Sequence, residues 1–226
     1  MKKLLRRIGP ETEKCLALLA YWPIYGMLFY FAEHFFRPGR YHVMYCALDD
    51  RIPFCELFLI PYLFWFIYMV GIHVYTLFLD QRAFQRLMQF IILSYSIGLV
   101  FFYCYPTIQL LRPDVFPRDN LLTDMMAAFY RTDTNTNVCP SLHVVGSMAV
   151  FYAAKDTKLF QNKGWRLFFY VTTFLICIST VFLKQHSVID VVVGMLVSWC
   201  VAGLVYRKEE LPLPARTYRS RRKMSY

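Results

Sequence analysis

Six stretches of this chain carry no Asp, Glu, Lys or Arg: residues 15–32, 57–79, 87–111, 134–154, 167–183 and 191–206. A helix needs roughly 20 residues to cross the hydrocarbon core of a bilayer. The first three runs reach or nearly reach that length alone, and the last three do so with their flanks. Of the 226 residues, 58% are hydrophobic, 19% aromatic and only 18% charged, which is poor in charge for a soluble domain. The reading is an all-α integral membrane protein with six transmembrane helices, a single membrane-embedded domain over residues 1–226 and no separate soluble part.

The basic residues set the expected orientation, because Lys and Arg accumulate beside membrane spans on the cytoplasmic side. With both termini cytoplasmic, 18 of the 25 Lys and Arg lie inside. They include Lys2, Lys3, Arg6, Arg7, Lys14, Arg82, Arg86, Lys155, Lys158, Lys163, Arg166 and the basic tail over 207–226. The net charge of +10 therefore points to anionic lipid beside the spans rather than to nucleic acid. The start "MKKLLRRIGPETEK" lacks a small-residue cleavage site after the first apolar run, and reads as a retained first helix. Seven cysteines are scattered without CxxC spacing. Cys46 and Cys55 share an outer loop and pair or stay free, two thiols being the simpler reading.

On this topology the third helix ends outside near Arg112, and a long outer connection, about 112–140, follows. Within it "NLLTDMMAAFYR" has helical periodicity, with Leu121, Leu122, Met125, Met126 and Phe129 on one side. An amphipathic helix lying along the interface is expected there. The fourth helix is expected from near Pro140, a residue suited to a first turn. Asp133, Asn135 and Asn137 are expected to cap the turn into it. Ser141 and His143 then stand at an outer helix start, as do His186 and Asp190 before the sixth.

These polar groups share one membrane face, and their types fit one chemistry. His186 and Asp190 are four apart, hence on one helical face. The carboxylate can hold one ring nitrogen protonated and leave the other as a nucleophile. The bland reading, that Asp190 only caps helix six, must set the cost of an ionisable pair at the edge of a span aside. The N–H groups of a helix start favour anions, and Ser141 adds a hydroxyl donor. His143 is placed to protonate a leaving alkoxide and later to take a proton from water. Arg112 offers a fork suited to phosphate. Together the parts describe phosphoryl transfer through a phosphohistidine.

The residues also carry a family resemblance. "RP" (Arg112–Pro113), "PSLH" (Pro140–His143) and Ser179, Thr180, His186 and Asp190 in the pattern S-T-x5-H-x3-D resemble the three signature blocks of the type 2 phosphatidic acid phosphatase (PAP2) superfamily. That superfamily also holds the vanadium haloperoxidases. The stretch "YRTDTNTNVCPSLHV" is similar to the branch containing inositol phosphorylceramide synthases. The signatures fall within residues 105–190. The resemblance implies a PAP2-like bundle, His186 as nucleophile, Asp190 as its orienting partner and His143 as general acid. It implies that Arg112 and the regions of Ser141 and Ser179 hold the phosphate. Two usual cations are replaced, by Tyr105 and Thr180, and Lys184 is expected to compensate in part.

The weaker candidates are His73, near the inner end of helix two, and His34 and His42 in the outer loop. Cys139, His143, His186 and Asp190 lack the short fixed spacings of a zinc site, so neither metal nor cofactor is expected. The leading expectation is a metal-independent membrane lipid phosphatase. It would act on phosphatidic acid or an isoprenoid pyrophosphate at the extracytoplasmic face, most simply of the plasma membrane, with membrane lipids as its partners. A phosphotransferase of the inositol phosphorylceramide synthase type is the alternative. A transporter or scaffold without activity is the third reading, and it leaves an intact His143, His186 and Asp190 without a use.

Overall fold

The computed structural model describes residues 10–207; the basic start and the tail beyond Arg207, with the expectations attached to them, lie outside the described residues. The described part is mostly helical, at 71% of its residues. Helices α1 (Pro10–Leu19) and α2 (Tyr21–His34) form one bent span. The bend has a cause in the sequence: Pro23 has no N–H to give and its ring crowds the carbonyl of Leu19, so α1 stops there. Helix α3 (Leu59–Leu79) tolerates Pro61 because it falls in the first turn, where N–H groups have no helical partner. Helix α4 (Gln81–Cys104) starts at Asp80, whose carboxylate accepts the Ala83 N–H at 3.1 Å. Helices α7 (Lys163–Phe182) and α8 (Val188–Val205) complete the five helices that, among the described residues, are long and apolar enough to cross a membrane.

The expected fourth span is α6 (Leu142–Asp156), and at 15 residues it is the short one. The uncharged run that announced it opens with "TNTNVCP", which is polar rather than apolar and folds into the loops instead. The Asn137 N–H donates to Thr107 O at 2.7 Å and the Cys139 N–H to Thr107 Oγ1 at 3.1 Å. Helix α6 therefore begins two residues after Pro140. It packs against α3, α4, α7 and α8, and Val144, Val145, Gly146, Ser147, Ala149, Val150, Ala153 and Ala154 are all buried. A sequence this rich in small residues suits a helix enclosed by others, since it lets backbones approach closely.

Between the spans, the loops at the α6 start are knitted by a two-strand parallel ladder. β1 (His42–Val43) pairs with β2 (Thr107–Ile108), and Ile108 bridges to Thr136. Helix α5 (Leu121–Thr132) is capped by Asn120, whose side chain accepts the Leu122 and Thr123 N–H groups. Its apolar face is split rather than lying wholly in the interface as expected. Leu122, Met126 and Phe129 pack on Leu59, Tyr62 and Leu183, while Leu121 and Met125 are exposed. Among the described residues all seven cysteines are free thiols, Cys46 and Cys55 included.

Candidate active site

Helix α6 is seated on α8 by a missing side chain. A Cβ on Gly194 would stand 3.1 Å from Ser141 O and 3.2 Å from Val144 Cβ. That close approach lets the Ser141 N–H donate to Asp190 O at 3.2 Å. One backbone bond thus joins the start of α6 to the first turn of α8, and with it the two histidine segments.

His143 occupies the first turn of α6 inside an aromatic frame. Its ring lies 4.3 Å, centroid to centroid, from Tyr62 and 4.5 Å from Trp65. Gly146, one turn on, makes room for that frame: a Cβ there would meet Tyr95 Oη at 2.7 Å and Trp65 at 3.0 Å. The His186 ring faces that of His143 at 6.3 Å.

His186 is delivered by a sharp turn with a readable cause. Helix α7 ends in a Schellman motif: the Lys184 N–H donates to Val181 O at 3.1 Å and the Gln185 N–H to Thr180 O at 2.9 Å. Lys184 holds the left-handed position of that motif, at φ 51°. The chain then reverses into α8. His186 Nδ1 lies 3.4 Å from Asp190 Oδ2. That carboxylate is fully buried and also accepts the Ser187 N–H at 2.9 Å. At 3.4 Å the imidazole contact is electrostatic rather than a formed hydrogen bond, a looseness common before substrate binds.

Both histidines line one cavity of about 400 Å³, walled by Tyr25, Phe29, Tyr62, Trp65 and Phe129, with Glu33, Asp133 and Gln185 at its polar side. Around it the sequence-derived phosphate ligands are distributed unevenly. The Ser141 hydroxyl is buried at the α6 start without a hydrogen-bond partner among the described residues, as a waiting donor would be. Arg112 lies one layer back. Its Nη1 donates to Tyr130 O and Asp133 O. Its Nη2 reaches Thr134 O at 2.9 Å, Gln185 Oε1 at 2.7 Å and Asp133 Oδ2 at 3.3 Å. The fork is therefore taken by the protein's own acceptors, and the Asp133 carboxylate stands where an anion would. Burial pushes that carboxyl above its ordinary range, while Arg112 and His186 pull it down.

Three expectations are corrected here. Lys184 does not face the cavity: its ammonium donates to Asp49 O at 2.6 Å and Ile52 O at 2.5 Å. Two backbone carbonyls satisfy it, so it has no reason to turn toward a phosphate. Burial lowers its pKa, against the pull of Asp49 and Asp50. Ser179 is also turned inward, its hydroxyl donating to Ile176 O at 2.6 Å in a fully buried position. Of the two replaced cation positions, Thr180 bonds to Cys177 O and Tyr105 stacks on His42. Nor do Asp133, Asn135 and Asn137 cap α6. Asp133 goes to Arg112 and Gln185, Asn135 to Gln109 O, and Asn137 to Glu33.

A profile of the PAP2 superfamily matches residues 89–211, which include Arg112, His143, His186 and Asp190. The chain belongs to the PAP2 superfamily. Membership indicates a phosphatase or phosphotransferase type of activity, and the apolar helices fit a membrane protein of that kind. No curated protein and no solved structure matched the chain. The PAP2 match begins within α4, so Tyr62 and Trp65, which frame His143, and Asp49, which holds the turn before α8, come from the part outside it. Among the described residues no group of three or more His, Cys, Asp or Glu is disposed to hold a metal ion.

Sequence reasoning missed Asp49 and Gln185. Asp49 is fully buried. Its carboxylate accepts the Ser187 hydroxyl at 2.6 Å and the Cys46 and Val188 N–H groups at 2.8 Å each. It thus supplies negative charge at the α8 start, where the helix dipole favours it. No local pattern distinguishes Asp49 from Asp50 in "ALDDR". Gln185 bridges Arg112 and Asp133, and only its place beside His186 hinted at a role. His73 sits outside the cavity, with Nδ1 at 2.7 Å from Met69 O. His34 lines the rim and His42 stacks on Tyr105.

Proposed function

We propose that the protein removes phosphate from a lipid phosphate, of the phosphatidic acid or isoprenoid pyrophosphate type, through a phosphohistidine on His186. One observation carries this reading: two histidine rings, one from the first turn of α6 and one from the turn before α8, meet edge-on at 6.3 Å in one cavity. His186 Nε2 attacks phosphorus while Asp190 steadies the proton on Nδ1. The bond from phosphorus to the lipid oxygen breaks, and His143 gives that oxygen a proton. His143 then takes a proton from water, the oxygen attacks the phosphohistidine, and the P–N bond breaks to release inorganic phosphate. The Ser141 hydroxyl and the unpaired N–H groups of the first α6 turn receive the phosphate oxygens. The arriving phosphate takes the place of the Asp133 carboxylate beside Arg112 Nη2 and Gln185, while the guanidinium keeps its bonds to the backbone carbonyls. Those donors supply the positive potential, and the reaction runs without a metal.

In the membrane we place α6 as a span too, the fourth of six in chain order, with both termini in the cytoplasm and the histidines at the outer face of the plasma membrane. The charge asymmetry of the sequence supports this orientation. A second reading, transfer to a lipid alcohol as in inositol phosphorylceramide synthases, draws on the aromatic walls beside the histidines, which offer an acceptor an apolar seat.

The deciding experiment turns over a lipid phosphate monoester in ¹⁸O-water and EDTA with detergent-purified protein. Hydrolysis releases inorganic phosphate carrying the label. Acid-stable controls apart, an alkali-stable phosphorylated protein forms with the wild type and is absent from His186→Ala. Phosphate appearing only on an added lipid alcohol overturns hydrolysis in favour of transfer. Full turnover by His186→Ala overturns the phosphohistidine.

A further inference from the structure

The far end of α6 opens on a second cavity, of about 1100 Å³. It lies between the first turns of α4, the last turn of α6 and the end of α8. Arg82 and Arg86 enter from α4, Lys155 from α6, and Arg207 from just past α8. Four cations thus meet one lining carboxylate, Asp156, which is paired with Arg86 at 2.9 Å. Among the described residues Arg82, Lys155 and Arg207 have no carboxylate partner. The Tyr206 hydroxyl, also in the lining, is buried with no hydrogen-bond partner there.

The walls of this cavity are not those of a water-facing cleft. Trp199, on its lip, is 69% exposed, and Leu204, five residues on, is 74% exposed. Both belong to the outer face of α8, one of the spans, so acyl chains run past them. Tryptophan at such a level marks the boundary between headgroups and hydrocarbon. The ordinary excess of cations beside spans puts charges near the membrane, but it does not require them to converge on a hollow. Lys155 also offsets the carbonyls at the end of α6, which accounts for one cation of the four.

We propose that this cavity binds the phosphate-bearing headgroup of an anionic membrane lipid. The phosphate meets Arg82, Lys155 and Arg207, the Tyr206 hydroxyl donates to it, and the acyl chains leave over Trp199 and Leu204. The site is separate from the histidine cavity, at the other end of a helix about 22 Å long. On the orientation proposed above, this end meets the anionic leaflet.

Native mass spectrometry of the full chain from detergent micelles doped with equal phosphatidylglycerol and phosphatidylcholine tests it. One phosphatidylglycerol is retained in preference to phosphatidylcholine. Arg82→Gln with Lys155→Gln weakens that retention roughly 30-fold, as expected for two lost cations near a lipid surface. Arg82→Lys with Lys155→Arg keeps it, which separates lost charge from a damaged fold. His186→Ala keeps it too, and added inorganic phosphate leaves it in place. Equal retention of both lipids, or retention unchanged in the double Gln variant, overturns the proposal. Loss in His186→Ala would assign the lipid to the histidine cavity instead. Displacement by inorganic phosphate would make the ligand a free anion and not a lipid.

Discussion

Two loops hold the short turn that carries His186, one on each side. Behind it, the loop between α2 and α3 brings Asp49 and the carbonyls of Asp49 and Ile52. In front, the connection between α4 and α6 brings Arg112 and Asp133. Each pairs a cation with a carboxylate-bearing segment, and from composition alone they look interchangeable. Their exposure separates them. Asp49 is 0% exposed and Lys184 9%, with every carboxylate and ammonium contact supplied by the protein. The Asp133 side chain is 46% exposed and its bond to Arg112 is 3.3 Å long. A dry, saturated network resists exchange, because an unpaired buried charge is costly. A half-open network with a long ionic bond can give up one anion for another. The rear loop therefore fixes the turn, and the front loop is the one able to answer a substrate.

The largest expected effect sharpens this contrast by touching neither loop. His143→Ala removes the proposed general acid and slows turnover by about 10²–10⁴-fold, read as the initial rate of phosphate release at saturating substrate. A rate within a fewfold of wild type would remove His143 from the chemistry. Next, Asp49→Ala strikes the rear loop and orphans two donors at the α8 start, the Ser187 hydroxyl and the Val188 N–H, and the Cys46 N–H within the loop. A destabilisation on the order of 3 kcal/mol is expected, seen as a lower melting temperature in detergent. An unchanged melting temperature would break the distinction between the loops.

A smaller and opposite effect is expected in front. Asp133→Asn removes the resident anion while leaving an amide oxygen for Gln185, so KM for a lipid phosphate falls by about tenfold or less with kcat little changed. The pH dependence has a sign. Protonating Asp133 frees Arg112, so in the wild type that carboxyl ceases to compete as pH falls through its raised pKa. Asp133→Asn abolishes this component of the KM–pH profile. A raised KM would instead make Asp133 a substrate ligand. The smallest catalytic effect belongs to Lys184→Met, which shifts KM less than about twofold but lowers the melting temperature, since two carbonyls lose their donor. A large rise in KM with unaltered melting would return Lys184 to the phosphate.

Much of the helical frame was legible because lipid imposes a length, and a run free of charge reports it. His143, His186 and Asp190 were legible because ionisable groups at span edges are expensive and stand out. The fourth helix starts close to Pro140, where it was expected, but its 15 residues fall short of a full span, because an uncharged run such as 134–154 can open on polar loop residues. The reading went astray at Lys184. Backbone carbonyls are acceptors that every residue carries, so no sequence pattern shows which lysine will be satisfied by them. Asp49 was hidden for a related reason: two of its three partners, the Ser187 hydroxyl and the Val188 N–H, belong to a helix start far along the chain, and its neighbour Asp50 looks the same.

The shortness of α6 has a consequence for how a substrate arrives. Fifteen residues of helix span about 22 Å, against a hydrocarbon core of about 30 Å. With α6 placed as the span proposed above and Lys155 and Asp156 level with one surface, His143 stands roughly 10 Å beneath the other. Raising a lipid to a reaction plane above the bilayer would expose methylene groups to water at about 0.8 kcal/mol each. A recessed plane removes that climb. On the function proposed above, a lipid phosphate would dip its headgroup to meet the histidines while both acyl tails stayed among their neighbours, and the product would return to the same leaflet.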